Sequence, residues 1–156
     1  MKKAAEQGHA GAQFNLGCCY KNEIGVEYDI EKAVELYEKA AEQGNADAQN
    51  NLGDCYQYRV GVEEDAKKAV ELYEKAVEQG NVNAQINLGF CYQYGVGVEK
   101  DTKKAVKLYK KAVEQGNAIA QCNLGDCYQY GVGVEKDAKK AVELYKKAVE
   151  QGNRKC

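Results

Sequence analysis

The residues of this 156-residue chain best suited to chemistry are its seven cysteines and its single histidine. Cysteine thiolates and histidine nitrogens are common zinc ligands, and a cysteine beside a histidine can form a nucleophile and base pair. Four of the cysteines recur at one constant interval, at Cys19, Cys55, Cys91 and Cys127. Packed helices lie about 8–10 Å apart, whereas a disulfide needs Cα atoms within about 4.4–6.8 Å. Equivalent cysteines of stacked helices therefore should neither pair nor share a zinc ion. We expect these four cysteines to act as small buried apolar residues.

The remaining cysteines and the histidine do not complete an active site. Cys18 and Cys122 fall on a variable helix face, where we expect exposed and oxidisable thiols. Cys156 is the thiol that we expect to form an intermolecular disulfide. His9 takes a helix-start position that asparagine fills elsewhere, and no base or nucleophile has a fitting spacing to it. With no phosphate-binding glycine loop and no metal-ligand spacing, the sequence predicts no catalytic residue, no metal and no cofactor.

Charge and hydropathy exclude two classes of partner. The chain has 22 Lys and Arg against 24 Asp and Glu, a net charge of -2. A protein that binds nucleic acid through a basic surface needs clustered cations to displace counterions, so we expect no nucleic-acid partner. No stretch approaches the roughly 18 apolar residues of a membrane span, so we expect no membrane insertion. The first residues lack the apolar segment of a signal peptide.

The elements that must position these residues come from an internal repeat. A Leu-Gly pair recurs every 36 residues, and it sets four repeats: 9–44, 45–80, 81–116 and 117–152. Residues 1–8 match the end of a repeat and 153–156 match the start of another, so we treat 1–156 as one repeat domain. The second and fourth repeats differ at only five positions, which is consistent with recent duplication or with consensus design.

Each repeat is predicted to form two helices. In the second repeat, Asn45 is the expected N-cap of a first helix that ends near Tyr58, and Asp65 is the expected N-cap of a second. The apolar stripes of the two helices follow a helical period: Ala48, Leu52, Cys55 and Tyr56, then Ala69, Leu72, Tyr73 and Ala76. Gly53 lies inside the first helix, where glycine costs roughly 1 kcal/mol, so we expect a neighbouring helix to approach closely. Neither helix can bury its stripe alone, and stacking into a solenoid solves this.

The repeat resembles the Sel1-like repeat of the tetratricopeptide-like superfamily. The carrying pattern is Ala-x-x-x-Leu-Gly-x-x-Tyr, followed by Gly-Val-Gly-Val-x-x-Asp-x-x-Lys-Ala-x-x-Leu-Tyr-x-Lys-Ala-x-Glu-Gln-Gly. The resemblance implies an all-α fold, a right-handed α-solenoid of stacked αα-hairpins, and a scaffold or adaptor role without catalysis. The paired cysteines of the family's secreted branch are absent, which favours a reducing compartment, and we expect a cytoplasmic protein.

Differences among the four repeats predict a binding face. Three first-helix positions vary, at i, i+3 and i+7, and therefore share one face. The resemblance places the first helices along a concave groove, so we predict that this face contacts a partner. The predicted contact residues are Phe14, Asn50, Asp54, Ile86, Phe90, Ile119, Cys122 and Asp126, flanked by Tyr58, Tyr94 and Tyr130. Neutral drift of a solvated face is the alternative, and it explains the aspartates better than the apolar residues.

Three functions remain open at this point. The first is a scaffold or adaptor that holds a peptide or partner segment in its concave groove. The second is a designed or excised consensus array with a structural role, which could form a homodimer through its exposed terminal repeats. The third is a hydrolase of the kind claimed for secreted relatives, for which the sequence offers no nucleophile and base pair.

Overall fold

The computed structural model describes residues 8–152, and this part of the chain is all helical, without a strand. Its eight helices follow one another as alternating first and second helices of the four repeats. Their bounds are α1 Ala10–Asn22, α2 Ile30–Glu42, α3 Ala46–Tyr58, α4 Ala66–Glu78, α5 Val82–Tyr94, α6 Thr102–Glu114, α7 Ala118–Tyr130 and α8 Ala138–Glu150. The predicted helix pair is thus present in every repeat.

The chain divides into two compact units, residues 1–81 and 82–156. In the first unit α1 packs on α2 and α3 on α4, and the two hairpins meet where α2 packs on α3. The second unit repeats this arrangement, with α5 on α6, α7 on α8, and α6 against α7. Each unit is therefore two stacked αα-hairpins.

Side-chain caps start the helices where the sequence predicts. The Oδ1 atom of Asn45 accepts the backbone N–H of Ala48 at 2.9 Å, and Oδ1 of Asp65 accepts that of Lys68 at 3.1 Å. Each cap satisfies one of the N–H groups that a helix leaves unpaired at its start. The predicted helix end at Tyr58 is also confirmed.

A glycine of the first helix packs closely against a tyrosine ring of the second helix in each hairpin. Tyr73 is fully buried between α3 and α4. A Cβ atom at Gly53 would lie only 2.6 Å from Cε1 of that ring. The expected close approach at Gly53 is therefore confirmed, and the approaching helix is the partner within the same hairpin. Equivalent pairs occur in the other repeats: Gly17 with Tyr37, Gly89 with Tyr109 and Gly125 with Tyr145.

The glycine-punctuated connector packs one hairpin on the next. Gly61 has a φ of 73°, in the left-handed region that favours glycine. A Cβ atom there would lie 2.9 Å from Cγ2 of Val34 and 3.1 Å from Cγ1 of Ile30, both in α2. The connector between α3 and α4 therefore rests directly on the preceding hairpin.

The repeating cysteines lie in the core with one exception. Cys55, Cys91 and Cys127 are buried and form no disulfide, as predicted. Cys19 is half-buried, so the prediction of a buried thiol is wrong there.

The last helix, α8, keeps part of its apolar stripe exposed. Val142 is 49% exposed, whereas the equivalent Val70 and Val106 are 4% and 3% exposed. Val149, two turns further along α8, is 55% exposed. Among the residues described, none of the helices is both long and apolar enough to traverse a bilayer.

Candidate functional site

Three of the predicted contact residues lie in the core and not on an open face. Asn50, Ile86 and Cys122 are 5%, 8% and 8% exposed. Ile86 packs in one cluster with Ala112 of α6 and Ala120 of α7, because the i+3 position of a first helix faces the next hairpin. The prediction that these residues line an open groove is wrong, as is the prediction of an exposed thiol at Cys122.

The residue at the same i+3 position of the first repeat is also partly buried. Phe14 is half-buried, with its ring centroid 5.8 Å from that of Tyr37 in α2. Cys18 is half-buried, so it is less exposed than predicted. The expectation for Cys156 falls outside the residues that the structure describes.

The other predicted residues are accessible. Phe90 is 38% exposed and Ile119 is 53% exposed. Asp126 is exposed and Asp54 is half-buried. The three flanking tyrosines are the most open aromatic side chains of the set, at 60%, 60% and 68% for Tyr58, Tyr94 and Tyr130.

In the second unit, Phe90 and Tyr94 of α5 and Asp126 and Tyr130 of α7 line a hollow of about 450 Å³, and Ile119 lies outside it. The Phe90 and Tyr94 rings lie 4.7 Å apart with a 50° tilt on the α5 side. The full lining consists of Phe90, Gln93, Tyr94, Tyr109, Asn123, Asp126, Tyr130 and Val132. We call this the aromatic hollow. It combines aromatic surface with amide and carboxylate groups, and no cationic residue lines it.

The floor of the aromatic hollow is fixed by a second-helix tyrosine. The Tyr109 hydroxyl donates to Oε1 of Gln93 at 2.7 Å, which orients the glutamine beside Phe90. Burial raises the pKa of Tyr109 above its ordinary value, so the hydroxyl stays a donor.

The equivalent tyrosine of the fourth repeat orients a carboxylate at the rim. The Tyr145 hydroxyl lies 2.5 Å from Oδ1 of Asp126 and 2.7 Å from Oε1 of Gln129. Asp126 is exposed in this position, as is the Tyr130 ring.

The first unit has the same polar contact without the aromatic pair. The Tyr73 hydroxyl lies 2.7 Å from both Oδ1 of Asp54 and Oε1 of Gln57. Burial raises the pKa of Asp54, and the hydrogen bond from Tyr73 opposes this shift. In the first unit, Cys18 and Asn22 of α1 stand where α5 has Phe90 and Tyr94, so among the described residues this aromatic pair occurs in the second unit alone.

A set of glutamine pairs, each with one buried member, was not predicted from the sequence. Nε2 of Gln79 donates to Oε1 of buried Gln49 at 2.9 Å, and Gln115 donates in the same way to Gln85 at 3.0 Å. The signal was present, because a glutamine stands at both positions in every repeat. These pairs satisfy buried amides and tie the ends of each hairpin together, so their role is structural.

The histidine also has a structural role. His9 Nδ1 accepts the backbone N–H of Ala12 at 3.1 Å and thereby caps α1. Across residues 8–152, no group of three His, Cys, Asp or Glu side chains is placed to hold a metal ion.

Comparison with known proteins places the chain among repeat proteins of one kind. The Sel1 repeat profile matches residues 1–9, 10–45, 46–81, 82–117 and 118–153. A solved Sel1 repeat protein from Oxalobacter formigenes is 40% identical with a TM-score of 0.92, and the match covers 97% of this chain and 60% of that one. The protective antigen c5321 of uropathogenic Escherichia coli, which has an SLR fold, is 33% identical with a TM-score of 0.51, covering 97% and 40%. The immunity protein Pa5087 of Pseudomonas aeruginosa is 31% identical with a TM-score of 0.66, covering 97% and 56%.

The chain therefore spans about 60% of the Oxalobacter protein and less of the other two. No curated protein sequence matches the chain. The solved structures confirm the predicted fold class, an all-α solenoid of αα-hairpins.

Proposed function

We propose that this chain, which belongs to the Sel1 repeat family, binds a peptide segment of a partner protein in the aromatic hollow of its second unit. Repeats of this family are generally protein-interaction scaffolds without catalytic activity. The observation that carries the proposal is the exposed pair of Phe90 and Tyr94, with rings 4.7 Å apart, facing Tyr130 across the hollow. Exposed aromatic side chains held by a rigid scaffold supply large contact area at a low entropic cost.

The polar groups of the hollow suit a peptide backbone. Asn123 and Gln93 offer amide groups that can both donate to and accept from peptide groups. Asp126 adds one carboxylate, held in place by the Tyr145 hydroxyl. A segment bound here would therefore place apolar or aromatic side chains on Phe90 and Tyr94 while its backbone meets the amides.

The difference among the repeats favours the third repeat, which carries Phe90, as the centre of the binding site. At the position of Phe90, the second and fourth repeats carry Asp54 and Asp126, each of which accepts a hydrogen bond from a tyrosine hydroxyl. Aspartate is thus compatible with the fold at this position, and the exposed phenylalanine is not required for packing. An exposed aromatic residue without a packing role favours a binding role.

The test uses this internal equivalence. Peptides selected from a random phage-displayed library against the whole chain are synthesised, and their affinities are measured by fluorescence anisotropy. Phe90→Asp copies the residue of the neighbouring repeats and should weaken binding at least about tenfold, because an aromatic anchor is lost. Ile119→Asn, which copies Asn83 at an exposed position outside the hollow, should change the affinity less than twofold.

Two results would contradict the proposal. Selected peptides that bind Phe90→Asp as tightly as the unmodified chain would place the binding site elsewhere. A library that yields no enriched peptide would favour a purely structural array. Matching thermal unfolding curves for both variants show that any loss of binding is not a loss of fold.

A second candidate function, self-association, is favoured by the exposed face of α8. Val142 and Val149 are half exposed on a stripe that the other repeats bury or partly bury. Sedimentation of the chain over a range of concentrations, with reductant present, measures this directly. Replacing both valines with lysine should convert a dimer to a monomer; a chain that is monomeric throughout eliminates this candidate.

A further inference from the structure

The aromatic hollow carries a negative charge and no positive one. Among the described residues that line it, Asp126 is the single charged residue, and its side chain is exposed. The Tyr130 ring lies one helical turn further along α7, on the same face of the helix. The Tyr145 hydroxyl donates to Oδ1 of Asp126 and holds the carboxylate in this place. A fixed carboxylate beside an open aromatic ring is suited to a cation.

The first unit shows which group a carboxylate at this position takes. Asp54 of α3 occupies the position that Asp126 occupies in α7, and it also accepts a hydrogen bond from a tyrosine hydroxyl, that of Tyr73. Burial raises the pKa of Asp54, whereas the hydrogen bond from Tyr73 and the ammonium group of Lys21 both lower it. Lys21 is half-buried on α1, the first helix of the preceding repeat. The first unit thus provides this carboxylate with a lysine from its own chain.

The second unit has no lysine at the corresponding position. Gln93 of α5 stands where α1 has Lys21, and it lines the hollow together with Phe90 and Tyr94. Its side chain is fixed, because Oε1 accepts from the Tyr109 hydroxyl at 2.7 Å and Nε2 donates to the Tyr94 hydroxyl at 3.4 Å. A neutral amide and two aromatic rings therefore line the hollow in place of an ammonium group.

We propose that the aromatic hollow binds a lysine or arginine side chain of the partner segment, with the cationic group between the Asp126 carboxylate and the Tyr130 ring. This inference rests on the proposed function, because it assigns a class of side chain to the peptide bound there. The cationic group would take the place that Lys21 takes beside Asp54. A cation within about 6 Å of a ring centroid is attracted to the ring face, and the carboxylate adds a charge-assisted hydrogen bond. The two α5 rings remain for the apolar neighbours of the basic residue.

Other ligands use fewer of these groups. A nucleotide could stack on the rings, but Asp126 would repel its phosphate, and no described residue of the lining would neutralise it. A metal ion needs further ligands, and the described part of the chain brings no three His, Cys, Asp or Glu side chains together for one. A basic side chain uses both the carboxylate and the rings.

The test starts from the random phage-displayed library that is selected against the whole chain. We expect the enriched peptides to share a lysine or arginine at one position, next to apolar residues. In the synthesised peptide, citrulline replaces this residue where it is arginine, and norleucine replaces it where it is lysine. Each replacement removes the charge and keeps the alkyl stem. The affinity, measured by fluorescence anisotropy, should fall at least about tenfold, because the ion pair and the cation–π contact are both lost.

Three variants of the chain locate the cationic group. Asp126→Asn removes the charge and keeps an oxygen for the Tyr145 hydroxyl. It should weaken binding of the basic peptide about fivefold and reduce the cost of the citrulline or norleucine replacement. Gln93→Lys copies Lys21 and supplies a cation from the chain itself, so it should also weaken the basic peptide about fivefold. Glu135→Gln makes the same change in net charge at an exposed residue that does not line the hollow, and it should change the affinity less than twofold.

The outcomes separate this inference from the proposed function. Phe90→Ala removes a ring without adding a charge, so a peptide that it weakens at least about tenfold binds in the aromatic hollow. If such a peptide has no lysine or arginine, or binds Asp126→Asn as tightly as the unmodified chain, the inference is wrong and the proposed function stands. Equal weakening by Asp126→Asn and Glu135→Gln would show a general charge effect and would also overturn the inference. A library without an enriched peptide contradicts both. Matching thermal unfolding curves show that each variant is folded.

Discussion

Substituting Gly89 with alanine tests the packing of the hairpin that contributes Phe90, Tyr94 and Tyr109 to the aromatic hollow. The new Cβ atom would lie 2.6 Å from Cε1 and 2.9 Å from Cδ1 of Tyr109. Carbon atoms in contact prefer about 3.5–4.0 Å, so α5 and α6 would have to separate by roughly 1 Å. Tyr109 cannot move away easily, because it is 1% exposed and its hydroxyl is bound to Gln93 at 2.7 Å.

The expected cost follows from two opposing effects. Overpacking a core costs about 1–3 kcal/mol, and a contact this short at a rigid ring belongs at the upper end of that range. Alanine recovers about 1 kcal/mol over glycine inside a helix. We therefore expect Gly89→Ala to lower the free energy of unfolding by about 2 kcal/mol.

Gly11 provides the matched control within the same fold. It also lies inside a first helix, and a Cβ atom there would meet only the exposed His9 ring, at 3.2 Å from Cε1. The other repeats carry Asp47, Asn83 and Ile119 at this position, so a side chain is accepted. Gly11→Ala should be neutral or stabilise by up to about 1 kcal/mol, since only the helix propensity changes.

Urea unfolding followed by circular dichroism measures both variants. A double-mutant cycle with Tyr109→Leu isolates the contact, because the smaller side chain makes room and Gly89→Ala should then cost much less. A Gly89→Ala variant as stable as the unmodified chain would refute the packing account. So would an unchanged cost in the Tyr109→Leu background.

Three further predictions concern protonation, thiol reactivity and capping. Burial raises the pKa of Asp54, so this carboxyl group binds a proton more tightly in the folded chain than in the unfolded chain. Asp54→Asn should therefore raise the urea midpoint of unfolding at neutral pH. This gain should vanish below about pH 3.9, the pKa of an aspartate in the unfolded chain. Burial raises the pKa of Cys127 to about 11. Iodoacetamide at about pH 8 should therefore label the half-buried Cys18 well before Cys127, as followed by mass spectrometry. Equal labelling rates would be inconsistent with a buried thiol at Cys127. Asn45→Ala removes the cap of α3 and should lower the unfolding free energy by about 1 kcal/mol, and no change would mean that the cap contributes nothing.

Helix positions and caps could be predicted from the sequence because they depend on local rules. Asn45 and Asp65 each precede a helical apolar stripe, and both accept the hydrogen bonds that a cap requires. The close approach at Gly53 could also be predicted, because a helix keeps an interior glycine in four repeats only where a side chain does not fit.

The burial of the variable first-helix residues at position i+3 could not be predicted from the local helix rules. Residues at i, i+3 and i+7 share a face, but a first helix of a stacked hairpin touches neighbours on more than one side. The i+3 residue Ile86 consequently meets Ala112 and Ala120 of the next helices, while Phe90, one turn further, stays accessible. Variation among repeats thus arises in the core as well as at the surface.

The aromatic hollow depends on tertiary detail that one sequence does not display. The sequence predicts Phe90 and Tyr94 on one helix face, but their ring contact and the role of Tyr109 in holding Gln93 depend on the tertiary structure.

The most direct test of binding at the aromatic hollow is a backbone-amide NMR titration of the labelled chain with a library-selected peptide. We expect the largest shift changes at Phe90, Tyr94, Asn123 and Tyr130, and we expect these changes to disappear in the Phe90→Asp variant. Largest changes on the outer faces of α6 or α8, or changes that persist in that variant, would contradict it.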